Sequence, residues 1–267
     1  MQNLFSILRV FAFGPLLVLG FLSALFVVWK RGREEYYDSD QLFDLVILAS
    51  FWGAVAARLA FIVSHIQLFR FDLMKWFSLF QYPGYVGVIG VIVGLLVALF
   101  SAKKRKLDEY EVADFLSTGL SLTMVFTYVG MFINGSGFGN PTSLPVGMFF
   151  PGVFDKRHPA QLYAVVLYVI LFFILWKLEG VYRTFLWYRS NKRTAQSGFI
   201  LAMFCIGYGV IGVLLSFFQP SSLSIGRVQL EGFIRGVFVL FGLAILYKRS
   251  GRTLSFTKKK SPFASTQ

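Results

Sequence analysis

Apolar stretches of about 20 residues recur along the whole chain, each the length that an α-helix needs to cross the hydrocarbon of a bilayer. Seven such candidate spans stand at 10–29, 41–63, 84–101, 115–133, 160–177, 198–218 and 229–247. Their connections are mostly too short to fold separately, so the spans are expected to pack as one all-α membrane bundle. With 56% hydrophobic and only 15% charged residues, the sequence is too apolar for an ordinary soluble domain. The expected organisation is a single transmembrane helical domain over 1–250 and a basic, disordered tail over 251–267.

The net charge of +13 does not read as a nucleic-acid surface, because the basic residues alternate with the spans instead of gathering on one folded face. Most of the 26 lie after odd-numbered spans: Lys30, Arg31 and Arg33; Lys103, Lys104, Arg105 and Lys106; Lys177, Arg183, Arg189, Lys192 and Arg193; and a tail from Lys248 to Lys260. The remaining loops and the N-terminus hold Arg9, Arg70, Lys75, Lys156, Arg157, Arg227 and Arg235. By the positive-inside rule the N-terminus lies outside and the C-terminus in the cytoplasm, which an odd number of spans requires. The first apolar run reads as a span and not as a cleavable signal. The lone cysteine, Cys205, excludes an intramolecular disulfide and, like His65, reads as structural.

Three connections carry information. Segment 64–83 mixes Phe and Trp with sparse charge and suits a helix lying in the interface. Segment 178–197, with Tyr182, Trp187 and Tyr188 among arginines, reads as an anchor on the anionic inner leaflet. The stretch "YVGMFINGSGFGNP", residues 128–141, opens a connection rich in glycine and proline that cannot be regular helix. Irregular backbone at membrane depth is tolerated where it is buried in protein or lines a watery cavity, so this segment points to a cavity on the outer side.

Ionisable residues inside spans are costly and mark candidate function. Arg58 in span two keeps its charge and seeks an acidic partner or a lipid phosphate. Asp44 and Asp114, at the starts of spans two and four, read as capping or packing residues. In "RHPAQLYA", His158 and Gln161 fit a capping arrangement at the start of span five, or a polar cluster facing an anionic headgroup. There is no metal-ligand set, no nucleotide-binding glycine loop and no serine nucleophile elbow, so neither a metal nor a cofactor is expected. Neither paired intramembrane acids nor an inverted repeat supports a transporter.

Taken together, "FINGSGFG", "NPTSLPVGMFFP" and "RHPAQLYA" resemble the prolipoprotein diacylglyceryl transferase family, whose members carry GNFINGExxGxPT, LPxxxxFP and RHPSQLYE in that order. "FWGAVAARLAFIV", "YVGVIGVIVGLL", "EVADF", "IGYG" and "SFFQP" extend the resemblance over most of the chain. The resemblance implies transfer of the diacylglyceryl group of phosphatidylglycerol to the lipobox cysteine of a pre-lipoprotein, in a bacterial cytoplasmic (inner) membrane. Its landmarks put substrate binding at Arg58, Asn134, Gly135, Gly139, Arg157, Gln161, Tyr163 and Tyr208. Tyr85, Tyr128 and His158 are the candidates nearest the thiol. Several charges of the family pattern are replaced: Tyr128 stands for an arginine, Met131 for an asparagine, Ser136 and Ala164 for glutamates, and Tyr85 for a histidine. In span six, Gly212 and Ser216 stand where the family has an arginine and a glutamate. Two readings follow: an active transferase with a shifted constellation, or a non-catalytic relative that binds anionic lipid or a membrane partner.

Overall fold

The computed structural model describes residues 2–70, 72–78, 81–182, 197–220, 224–225 and 228–249. Seven helices among them are long and apolar enough to cross a membrane. In chain order the helices are α1 (Gln2–Glu34), α2 (Ser39–Ser64), α3 (Ile66–Phe69), α4 (Leu73–Phe77), α5 (Gly87–Lys104), α6 (Glu109–Asn134), α7 (Ala160–Tyr182), α8 (Phe199–Ser216) and α9 (Leu230–Arg249). All but the short α3 and α4 correspond to the expected spans, most of them running a few residues beyond the apolar stretch at one or both ends. The expected interfacial helix at 64–83 is broken into α3 and α4, between which Arg70 adopts a positive φ of 47°. A two-residue antiparallel hairpin, β1 (Ser224–Ile225) with β2 (Val228–Gln229), precedes α9 and was not expected. The core of the proposed inner-leaflet anchor, 183–196, and the tail 251–267 lie outside the described residues.

Sequence chemistry sets the helix ends. Asp38 accepts from the Asp40 amide at 3.0 Å, and Asp108 accepts from Tyr110 and Glu111 at 2.9 and 3.1 Å, so each caps the start of its helix. Basic residues occupy the last turns of α1, α5 and α9, where they complement the helix dipole. Asp114 caps a different helix from its own: from α6 its carboxylate accepts the Gly198 and Leu201 amides at 2.8 and 2.7 Å, fixing the start of α8. Asp44 pairs instead with Arg105 across α2 and α5, at 3.3 Å.

Helix neighbours are α1 with α6, α2 with α5, α6 with α7 and α8 with α9. These contacts use small residues, the usual device where lipid gives helices no hydrophobic reason to associate. Gly53 of α2 meets Gly90 and Gly94 of α5, and Thr123 of α6 donates to the Gly20 carbonyl of α1 at 3.1 Å. The larger core gathers Tyr128, Tyr168, Phe204, Tyr208, Ile211 and Phe238 from α6, α7, α8 and α9. Large apolar side chains such as Phe51, Val63, Phe100, Phe173 and Leu240 point outward, as a lipid-facing surface requires.

The helices alternate in direction, so the bundle has two unlike ends. One gathers the basic turns, the 34–39 and 104–109 connections and the start of α8. The other, the loop end, gathers the connections 64–86, 135–159 and 217–229.

Candidate functional site

The glycine-rich stretch is a folded lid at the loop end. Helix α6 stops at Gly135, whose φ of 75° suits glycine, with Ser136 N donating to Met131 O at 2.9 Å. From there the chain pairs as short antiparallel bridges: Gly139 N donates to His158 O at 2.8 Å, His158 N to Asn140 O at 3.1 Å, and Met148 and Arg157 exchange bonds of 2.9 and 2.8 Å. Asn140 N donates to Phe218 O at 2.7 Å, tying the lid to the end of α8. Gly139 is required by close approach, since a Cβ there would collide with the Phe218 carbonyl and come within 2.8 Å of the His158 Cβ.

Two glutamines lock the lid from below. Gln161, fully buried at the start of α7, donates to Ser136 O at 2.8 Å, and Gln219 donates to Gly137 O at 2.9 Å. The capping box expected from His158 and Gln161 is therefore not formed, because the Gln161 amide is turned to the lid. His158 is half-buried, its Nδ1 3.3 Å from the Tyr163 hydroxyl and its ring 5.3 Å from that of Phe218. Arg157 lays its guanidinium over Phe138 at 5.3 Å and has a buried Nε without an acceptor. Asn134, the last residue of α6, is half-buried beside this lid.

Arg58 and Tyr85 belong to a second group. The Arg58 guanidinium gives its donors to backbone carbonyls: Nη1 to Tyr82 O and Gly84 O at 2.7 and 3.1 Å, Nε to Trp76 O at 3.3 Å, and Nη2 to Trp76 O and Lys75 O at 3.2 and 3.5 Å. Of the acidic partner or lipid phosphate expected for it, no acidic side chain among the described residues is hydrogen-bonded to it; converging carbonyl oxygens take its N–H donors instead. Aromatic faces of Phe61, Phe69 and Tyr85 complete the cage, with Tyr85 itself exposed.

The third group lies inside the bundle and includes residues that sequence reasoning missed. Tyr128 of α6 stacks on Tyr168 of α7 at 5.5 Å, and Tyr168 lies 6.3 Å from Tyr208 of α8. Over Tyr208, at 5.7 Å, stands the guanidinium of Arg235 from α9, ion-paired with Glu231 one turn earlier. The charge pattern groups Arg235 with the loops; in the structure it lies inside the last span, its side chain only 11% exposed. The available signal was Glu231 and Arg235 at i,i+4 within an apolar segment. Counted at 1.5 Å per residue from the loop end, Arg58, Tyr128, Tyr168, Tyr208 and Arg235 all lie roughly 8–12 Å deep. The three groups thus form a polar layer just beneath the loop end.

Among the described residues no group of three or more histidine, cysteine or acidic side chains could hold a metal ion. At the loop end Arg157, Arg235, the tyrosine hydroxyls and the His158 imidazole offer the donors that suit an anionic, partly apolar ligand.

Comparison with known proteins places nearly the whole chain in one family. Residues 2–248 match the family model described as prolipoprotein diacylglyceryl transferase. The chain is 27% identical over 248 residues to a protein of Clostridium tetani named phosphatidylglycerol–prolipoprotein diacylglyceryl transferase, covering 87% of this chain and 92% of the relative. A protein of the same name from Methylococcus capsulatus is 27% identical over 253 residues, 91% of this chain and 92% of the relative. Another from Shewanella sp. strain MR-4 is 26% identical over 251 residues, 90% and 88% of the two chains. The chain belongs to the prolipoprotein diacylglyceryl transferase family.

Proposed function

We propose that this multi-pass membrane protein transfers the diacylglyceryl group of phosphatidylglycerol to the thiol of a lipobox cysteine in a pre-lipoprotein, at the outer face of a bacterial cytoplasmic membrane. The observation that carries the reading is the lid: Gly139, Asn140, His158, Gln161 and Gln219 are bonded into one unit at the end of the bundle beneath which the buried tyrosines and Arg235 lie. The non-catalytic alternative is not favoured, since the resemblance to named transferases runs through this lid and nearly the whole chain.

The reaction joins the cysteine sulfur to a lipid carbon, breaks the bond from that carbon to the phosphate oxygen, and releases glycerol phosphate with the electron pair. The thiol proton must go to a base. His158 suits this role better than Tyr85 or Tyr128, since a neutral imidazole carries a ring nitrogen lone pair that takes up a proton readily and a phenol hydroxyl does not. Tyr163 orients the ring through Nδ1, and Nε2 is assigned to the thiol. Arg157 at the rim meets the anionic headgroup, while Asn134, Gly135 and Gly139 shape the lid beside it. Tyr208 and Tyr128 donate hydroxyls from below, and Arg58 acts by holding the 75–84 connection in place.

The test uses purified protein in phosphatidylglycerol nanodiscs with a lipobox peptide. The expected result is a mass increase of one diacylglyceryl group on the cysteine, absent when phosphatidylcholine replaces phosphatidylglycerol. Protein that retains the lipid yet gives no transfer above a protein-free control would overturn the reading.

A further inference from the structure

The resemblance leads one to expect a cation and a carboxylate at the positions of Gly212 and Ser216, on the face of α8 that looks into the bundle. The structure supplies both from the neighbouring helix. A Cβ on Gly212 would collide with the Arg235 Cδ and come within 2.8 Å of its Nη1, so the Arg235 side chain fills the room above that glycine. One turn earlier on α9, a Cβ on Gly232 would lie 3.4 Å from the Ser216 Oγ. The two helices are in backbone contact here, because a Cβ at Gly209 would stand 2.9 Å from the Val239 amide nitrogen. Close approach at Gly209 and emptiness at Gly212 are what allow an arginine from α9 to reach over α8.

The surroundings of this arginine are short of acceptors. Its Nη2 donates to Glu231, but its buried Nε has no acceptor, and the fully buried Tyr168 hydroxyl has no partner either. The Tyr208 ring lies 5.7 Å from the guanidinium, and Tyr168 and Tyr128 continue from it through ring contacts of 6.3 and 5.5 Å. Leaving donors unsatisfied at this depth is costly, since hydrocarbon offers them nothing. A phosphate would supply several strong acceptors at once, and arginine with hydroxyl donors is the set that binds it.

We propose that Arg235, oriented by Glu231 and flanked by Tyr128, Tyr168 and Tyr208, is the intramembrane site for the phosphate of the phospholipid donor, an ionic pair carried by α9 in place of one on α8. The proposal rests on the transfer reading for its catalytic consequence: a phosphate held there is stabilised as negative charge builds on the departing glycerol phosphate. Glu231 is a positioning residue, holding one edge of the guanidinium so that another faces the ligand.

The experiment compares the full chain with Arg235→Gln, Arg235→Lys and the double variant Gly212→Arg with Arg235→Gly, each in nanodiscs of mixed phosphatidylglycerol and phosphatidylcholine. Two quantities are read on monodisperse protein: the ratio of the two lipids retained, by mass spectrometry, and single-turnover transfer to a lipobox peptide. Arg235→Gln is expected to lose most of its preference for phosphatidylglycerol and about 100-fold in transfer. Arg235→Lys should keep a charge but not the fork, losing about tenfold in transfer. The double variant returns the cation from the other helix and should recover at least about tenfold over Arg235→Gln, a rescue that a packing role would not produce. Unchanged lipid preference and transfer in Arg235→Gln would overturn the proposal. Should Arg235→Gln fail to fold, a folded double variant without phosphatidylglycerol preference would overturn it equally. Should the unaltered chain bind phosphatidylglycerol without transfer, the transfer reading falls, and the site is judged on lipid preference alone.

Discussion

Arg31 and Arg235 lie inside this bundle near opposite ends, and the contrast lies in what surrounds them. Near the basic end, Arg31 of α1 donates from Nη1 to Glu34 at 2.9 Å and from Nη2 to Trp176 O at 3.4 Å. Its Nε faces Glu179 at 3.3 Å, as an ion pair without hydrogen-bond alignment, and its guanidinium covers the Trp176 ring at 4.1 Å. Glu179 is only 2% exposed and also accepts from Thr118 at 2.9 Å. Near the loop end, Arg235 has one carboxylate, an Nε without an acceptor and a neighbouring tyrosine hydroxyl without a partner. The first arrangement is a closed clamp that fastens α1, α6 and α7 together. The second leaves polar groups unanswered, which a ligand that brings oxygen would satisfy.

If the clamp is structural, breaking it should cost stability and leave chemistry alone. Arg31→Met, which takes the arginine from a buried carboxylate, should lower unfolding free energy by about 3 kcal/mol, read as an earlier thermal midpoint in detergent. Transfer per folded molecule should stay within about threefold of the unaltered chain. At the lid the effect should be mixed. Gly139→Ala pushes a methyl group against the Phe218 carbonyl and His158, so a loss of about 2 kcal/mol is expected. Because that methyl also displaces His158, transfer should fall even in the folded fraction, and normal transfer there would separate the lid from the chemistry. The smallest effect is expected at Thr118→Val, which removes the Thr118 hydroxyl bond to Glu179 and should cost about 1 kcal/mol in the same thermal assay.

Much of the fold was legible because its causes are local. Long apolar runs, basic last turns and the breakers between Gly135 and Pro159 locate the spans and the lid without any knowledge of contacts. The site was legible only where a residue type announces itself, as His158 and Arg157 do beside a proline that opens a helix. What stayed hidden depends on partners distant in sequence. Arg58 is satisfied by the carbonyls of residues 75, 76, 82 and 84, which have no side-chain signature. Gln161 turns to Ser136 O instead of capping its own helix. Tyr168 looks like one more aromatic of an apolar run, and its role emerges only from stacking on Tyr128. Arg235 stayed hidden because a basic residue close to the start of a span looks like a loop charge until its contact with Tyr208 of α8 is seen. The glycine at 212 reads as a loss until the side chain that fills its space is known.

The most direct test of this contrast is single-turnover transfer per folded molecule, measured side by side for Arg235→Gln and Arg31→Met in phosphatidylglycerol nanodiscs. A fall of about 100-fold in the first with little change in the second is the predicted result. Equal losses in both, or full transfer by folded Arg235→Gln, would contradict the assignment of the phosphate to the last helix.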